Sequence, residues 1–322
     1  MAFQQGNATD YLDLLDQFTT FVTGLGGGQA WTVLKNTTTG FTVDGEVYYR
    51  APGLSGLDEI YMNVQTFSDG PSAHYLWRMQ GAVGFDTLLD FNDQPGSIPV
   101  VAGVPRMLLS NGAMAYTFVA NGQRAVIVVN VSTVIESCYI GCITPYGPPS
   151  DFPQPLFIGA MHNEDEQPSD TNDKHTWWLM DRRGGVGIES TAHMRTPNGQ
   201  WARARELSQA ALQDTELRFF TNPHAYIDAF TQGGSNMLDV TVTENNEYIR
   251  TPVMVIANIN AGVGDAQEQP LGQFDDVFHV IGTGLSQDDE VQCGGVDHLV
   301  FQNAFRTDIN SFACVGLQSR SD

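Results

Sequence analysis

The chain has 322 residues and carries 37 acidic against 15 basic side chains, a formal charge of −22. Such an excess of negative charge repels phosphate backbones and anionic lipid surfaces, so nucleic-acid binding and membrane insertion are not expected. With 42% hydrophobic and 16% charged residues, 33 glycines and 15 prolines, the composition is that of a folded, turn-rich, mainly β protein whose core needs no disulfide or metal.

Met1 is followed by polar residues and not by a charged leader with an apolar core, and no stretch approaches the roughly 20 apolar residues that span a bilayer. Synthesis in the cytoplasm is therefore expected, and four cysteines suit a reducing compartment better than a disulfide framework. Residues 9–23 place Tyr11, Leu12, Leu14, Leu15, Phe18, Phe21 and Val22 at helical spacing, with Asp10, Asp13 and Asp16 near the positive end of the dipole. This predicts an amphipathic helix, stopped by Gly24 and by Gly26, Gly27 and Gly28, which supply a hinge. Such an arm either folds back on its own domain or docks on a neighbouring subunit.

Ala30 to Leu34, Phe41 to Tyr49, Asp58 to Phe67 and His74 to Met79 read as successive strands between Gly, Asn, Asp and Pro clusters. Residues 92–99 form a loop, and Val100 to Leu109 leads into the most ordered stretch, Ala113 to Ala160. There Tyr116, Phe118 and Ala120 alternate, Asn121-Gly122 suits a type I′ turn, and Ala125 to Val131 is a return strand buried on both faces. Pro145, Pro148, Pro149, Pro153 and Pro155 then rule out a ladder and predict an ordered, extended loop. Tyr139, Tyr146, Phe152 and Phe157, interleaved with or flanking those prolines, bring apolar area that must pack on the same domain or on another chain.

The elements Ala120 to Gly122, Val126 to Val129, Ser132 to Val134, Glu136 to Ser137, Tyr139 with Gly141 in a glycine turn, and Pro145 to Ile158 make an ordered series. This series resembles the central block of an uncharacterised family of tailed-bacteriophage and prophage virion structural proteins. Flanking pieces are similar too: the N-terminal helix, Ala30 to Leu34, Gly53 to Tyr61, and Gln273 to Gly284. Cys138 and Cys142, which stand where apolar residues are expected, and the acidic insert after His162 depart from that pattern. The resemblance implies a virion structural protein, of the tail tip or baseplate, and contains no catalytic signature.

Residues 162–175 are polar and read as an exposed loop or linker. Trp177 and Trp178 open a strand that turns at Gly184-Gly185 and returns through Met194, and Glu206 to Phe220 reads as a short helix or a strand. Tyr248 to Asn258 is a second strongly buried strand, with Asp276 to Ile281 and His298 to Phe305 completing a second sheet. The whole is expected to be mainly β, with sandwich or barrel-like domains and an N-terminal amphipathic helix. Residues 1–28 form the helical arm and hinge, 29–160 a β domain with the Pro/Tyr-rich loop, and 161–322 a second β-rich domain.

No Walker A loop, no GxGxxG after a strand, no HExxH and no GxSxG is present. Cys138-x3-Cys142 has a spacing that zinc sites tolerate, with Cys293 and His298 as a second pair, and the 162–175 loop offers carboxylates without an EF-hand register. Ordinary buried thiols and a solvated loop are the simpler readings, so no cofactor or metal and no catalytic residue is expected. Trp177, Trp178 and Trp201, with Tyr226, either stack a sugar or pack in the core. The expected role is assembly with itself and other tail proteins in the virion, with Tyr11, Leu15, Phe18, Phe21, Tyr139, Tyr146, Phe152 and Phe157 as interface candidates. A receptor- or carbohydrate-binding tail module is the alternative. A polysaccharide-degrading tail enzyme stays open because its carboxylate separation is set by the fold.

Overall fold

The computed structural model describes residues 1–53, 59–69, 74–99, 103–162, 177–178, 192–204, 216–220, 248–258, 268–280, 282, 284–302 and 312–317. The acidic loop beyond His162, the Gly184-Gly185 turn, residues 206–215 and Tyr226 lie outside them. Within them the protein is mainly β, with one helix of 13 residues, α1 (Tyr11–Thr23).

The smaller sheet holds β2 (Thr32–Asn36), β3 (Glu46–Ala51), β4 (Ile60–Asp69), β5 (His74–Ala82) and β6 (Arg106–Leu109), an antiparallel meander in chain order. The larger begins with β1 (Ala2–Ala8), β7 (Met114–Ala120), β8 (Arg124–Val131), β9 (Val134–Cys142) and β11 (Leu156–Gly159). It continues through β12 (Ala192–Arg195), β13 (Trp201–Ala204), β14 (Glu216–Phe220), β15 (Arg250–Asn258), β16 (Glu268–Val280), β19 (Phe312–Gly316), β18 (Val296–Gln302) and β17 (Glu290–Cys293). A two-residue strand, β10 (Thr144–Pro145), pairs with β16, and among the described strands only β13 and β14 run parallel. The boundary expected at residue 160 therefore falls between paired strands: Phe157 of β11 lies opposite Met194 of β12.

Strands β8 and β9 are the middle of the fold because their side chains alternate between two cores. Ala125, Ile127 and Val129, with Cys138, Ile140 and Cys142, face a core shared with α1 and the smaller sheet. Val126, Val128, Ile135 and Tyr139 face a second core, shared with Val255 of β15, Phe274 and Val277 of β16 and Phe301 of β18. An uninterrupted apolar strand is stable only when both faces are covered.

The helix starts where the Asp10 carboxylate accepts from the Leu12 and Asp13 amides at 2.8 and 2.9 Å. Its Leu14, Leu15, Phe18 and Val22 are buried in the first core, so the segment is a plug and not a detached arm. The Phe18 ring meets Trp31, Tyr49 and Phe118 edge-on at 5.9, 6.0 and 5.4 Å. Trp77 Nε1 donates to the Tyr11 carbonyl at 3.0 Å, and the Thr19 and Tyr49 hydroxyls share a bond of 2.6 Å. The expected glycine hinge turns the chain straight back, with the Trp31 amide on the Val22 carbonyl at 3.0 Å.

Two local expectations are corrected. Gly122 is not at positive φ, so Asn121-Gly122 is no type I′ turn. The Asn121 side chain instead accepts from the Gln123 and Arg124 amides at 2.9 and 3.0 Å, satisfying the loop by itself. Gly141 sits inside β9 rather than in a turn, at φ +129, where a Cβ would come within 2.3 Å of the Gln123 carbonyl oxygen.

Candidate functional site

The Pro-rich loop is short of spare apolar area because it is already docked. Thr144 and Pro145 pair with Gln273 and Gly272, the Tyr146 amide donates to the Leu271 carbonyl at 3.0 Å, and the Phe152 amide donates back to the Pro148 carbonyl at 3.1 Å. Phe152, Tyr139 and Phe157 are buried in the second core. Tyr139 and Phe157 belong to β9 and β11, not to the loop. Among the eight interface candidates, Tyr11, Leu15, Phe18, Tyr139, Phe152 and Phe157 are buried within the single chain. Phe21 packs half-buried against the first core, and Tyr146 alone is exposed, at 50%. The sequence displays apolar area but not the distant strands that cover it, which for Tyr139, Phe152 and Phe157 belong to the far part of the same large sheet.

Trp177 and Trp178 offer no ring face to a sugar. Neither has accessible surface, and sugar stacking requires an open ring face. Trp177 Nε1 donates to Ser137 Oγ at 3.0 Å, and its ring lies among Tyr139, Phe274 and Phe301. Trp201 is half-buried and holds the Gly96 carbonyl at 2.8 Å. Cys138 and Cys142 lie four positions apart on one extended strand, a Cα separation of about 13 Å that no single zinc ion bridges. Burial raises the Cys138 thiol far above its ordinary pKa, which keeps it protonated and inert. Among the described residues no three of His, Cys, Asp and Glu are grouped as metal ligands.

Charged groups inside the fold act as ties. Arg124, wholly buried at the tip of β8, places Nε 3.1 Å from Asp275 of β16 and Nη1 3.2 Å from the Val119 carbonyl. Burial pushes the Asp275 carboxyl up. The Arg124 charge and hydrogen bonds from Asn121, Gln123 and Arg124 outweigh that and hold it below the usual carboxylate pKa. His162 and Glu136 form a second buried pair at 3.0 Å. Sequence reasoning singled out neither pair as a tie, since the partners are 151 and 26 positions apart.

Two surface features stand out among the described residues. A groove of about 420 Å³ lies between the β1–β7–β8 face and the turn before β17, lined by Gln5, Asn7, Thr117, Asn130, Asp288 and Leu299. Asp288, at φ +66, accepts from Asn130 Nδ2 at 2.6 Å. The second feature is the outer edge of β1, which ends the larger sheet and exposes Phe3, Gln5 and Asn7. No family model matches the chain, and no curated protein matches it.

Proposed function

We propose that the chain is a structural component of a tailed-bacteriophage virion, of the tail tip or baseplate, which works by symmetric protein–protein assembly and not by catalysis. The observation that carries this reading is the place of the block on which the family resemblance rests. Ala120 to Ile158 supplies β8, β9 and β11, the strands covered on both faces, so the likeness falls on the centre of the fold. A β fold of two facing layers, sandwich-like around each core, suits a rigid building block. The proposed partners are further copies and other tail proteins, and the proposed location is the virion tail after synthesis in the host cytoplasm. The formal charge of −22 disfavours nucleic acid as a partner.

The experiment is immunogold labelling of purified particles with antibody to this chain. Gold at the tail end is the expected result, whereas gold on the capsid or on no part of the particle contradicts the reading. A second reading, a receptor- or carbohydrate-binding tail module, is favoured by the amide- and hydroxyl-lined groove at Gln5, Thr117 and Asn130. Saturable binding on a glycan array, lost in Asn130→Ala, distinguishes it.

A further inference from the structure

A sheet edge offers unpaired amides and carbonyls to any passing strand, and proteins that stay monomeric blunt such edges with charge, proline, bulges, brevity or a cover. Among the described residues the two sheets present four edges, and three of them are blunted. β2 carries Lys35 and a register shift between Val33 and Lys35. β6 is four residues long, and both backbone groups of Arg106 are taken by His162, at 2.8 and 3.1 Å. β17 is also four residues long and begins with Glu290.

β1 has none of these devices. Its seven residues pair with β7 in unbroken register, Ala2 opposite Ala120 through Ala8 opposite Met114, without a bulge. Its sequence, AFQQGNA, contains no charge and no proline, in a chain whose formal charge is −22. Among the described residues no strand pairs with its outer edge, Phe3 is 46% exposed, and Gln5 and Asn7 are exposed beside it. One outer group is occupied: the Asn7 carbonyl accepts from Gln17 Nε2 at 3.1 Å. That leaves Ala2 to Gly6 for an incoming strand.

We infer that β1 is an assembly edge that pairs antiparallel with β1 of a second copy of this chain, joining two large sheets into one. The occupant is a second copy because the strand complements itself. With Gln4 opposite Gln4 across a two-fold axis, Phe3 lies opposite Gln5 and Ala2 opposite Gly6, so every pair is uncharged. Elsewhere two such acidic surfaces repel, and a neutral edge is where they approach at least cost. A five-residue ladder buries less than the roughly 1,200–2,000 Å² of a standard stable interface, so pairing alone is weak and gains strength from repetition in a larger assembly.

This inference rests on the assembly reading and names its surface. The test is sedimentation equilibrium of the full chain up to ~300 µM, for wild type and for the double variant Phe3→Lys with Gln5→Lys. Both positions are exposed, and the substitutions set like charges opposite each other across the proposed axis. Expected are a wild-type dimer, association at least tenfold weaker in the variant, and unchanged melting of the isolated chain. Hydrogen exchange keeps the test independent of the variant: residues 2–6 of wild type are expected to gain protection as concentration rises. A wild-type dimer left intact by the variant overturns the edge while sparing assembly through another surface. A wild type that stays monomeric throughout, without concentration-dependent protection in residues 2–6, overturns the edge as well. Absence of the protein from virions is the separate result that removes the assembly reading.

Discussion

Arg124 and Asp275 meet at 3.1 Å, Nε to Oδ2, across 151 positions of sequence, tying the tip of the β7–β8 hairpin to the middle of β16. The guanidinium is fully buried while the carboxylate keeps some solvent contact. Removing the acid therefore strands a buried cation, which costs more than the pair itself contributes. Asp275→Asn is expected to destabilise the fold by roughly 3 kcal/mol at neutral pH, measured by denaturant unfolding.

The same pair has a defined pH dependence. Because the folded-state pKa of Asp275 is held below its ordinary value, its stabilisation is complete above the unfolded-state pKa of about 3.9. It is lost as pH falls through the lower, folded-state value. The stability gap between wild type and Asp275→Asn should thus hold from neutral pH down to the unfolded-state pKa of about 3.9 and shrink as pH falls below it. A gap that stays constant or widens in acid shows that the ion pair is not its source.

Phe18 tests whether α1 belongs to the core. Phe18→Ala removes the ring that Trp31, Tyr49 and Phe118 enclose and should cost about 3–5 kcal/mol, read as a lower melting temperature of the isolated chain. An arm packed only on another subunit would leave that melting temperature unchanged.

Within the Pro-rich loop, two aromatics should behave oppositely. Phe152→Ala opens a cavity in the second core and is expected to cost about 3 kcal/mol. Tyr146→Ala, at a half-exposed position, should change stability by no more than ~0.5 kcal/mol. Equal losses in thermal unfolding would show that the loop packs differently.

Gly141 is the most constrained glycine of the central strands. Gly141→Ala forces a side chain onto φ +129 and to 2.3 Å from the Gln123 carbonyl, so at least about 3 kcal/mol should be lost, with β8 and β9 pushed apart. Soluble expression together with urea unfolding is the measurement, and wild-type stability in this variant contradicts the placement of β9.

The parts of this fold legible in sequence are those with a one-sided period or a long apolar run. Leu14, Leu15, Phe18 and Val22 repeat at helical spacing because one side of α1 faces the core, and Ala125 to Val131 announces burial on both faces. Other elements have no such signal. In β1 the residues Phe3, Gln4 and Gln5 show no alternation, since an edge strand meets the core weakly, and its register comes from β7, more than a hundred positions away. β9 reads as a glycine turn because Gly141 interrupts it, though that glycine lets the backbones approach. The Asn121-Gly122 pair fits a hairpin turn locally, yet Asn121 caps its own loop and passes its carbonyl to Trp31 Nε1 at 2.9 Å. The candidate site was hidden for the same reason. The aromatic residues advertise apolar area, while the surface left open depends on the order of strands in a sheet, which no local pattern encodes.

The central claim, a virion structural role through assembly, is tested most directly by quantitative mass spectrometry of purified tailed particles. The expected result is this chain at several copies per particle, in fixed ratio to the other tail proteins. Its absence from particles, or a single copy in each, contradicts the claim.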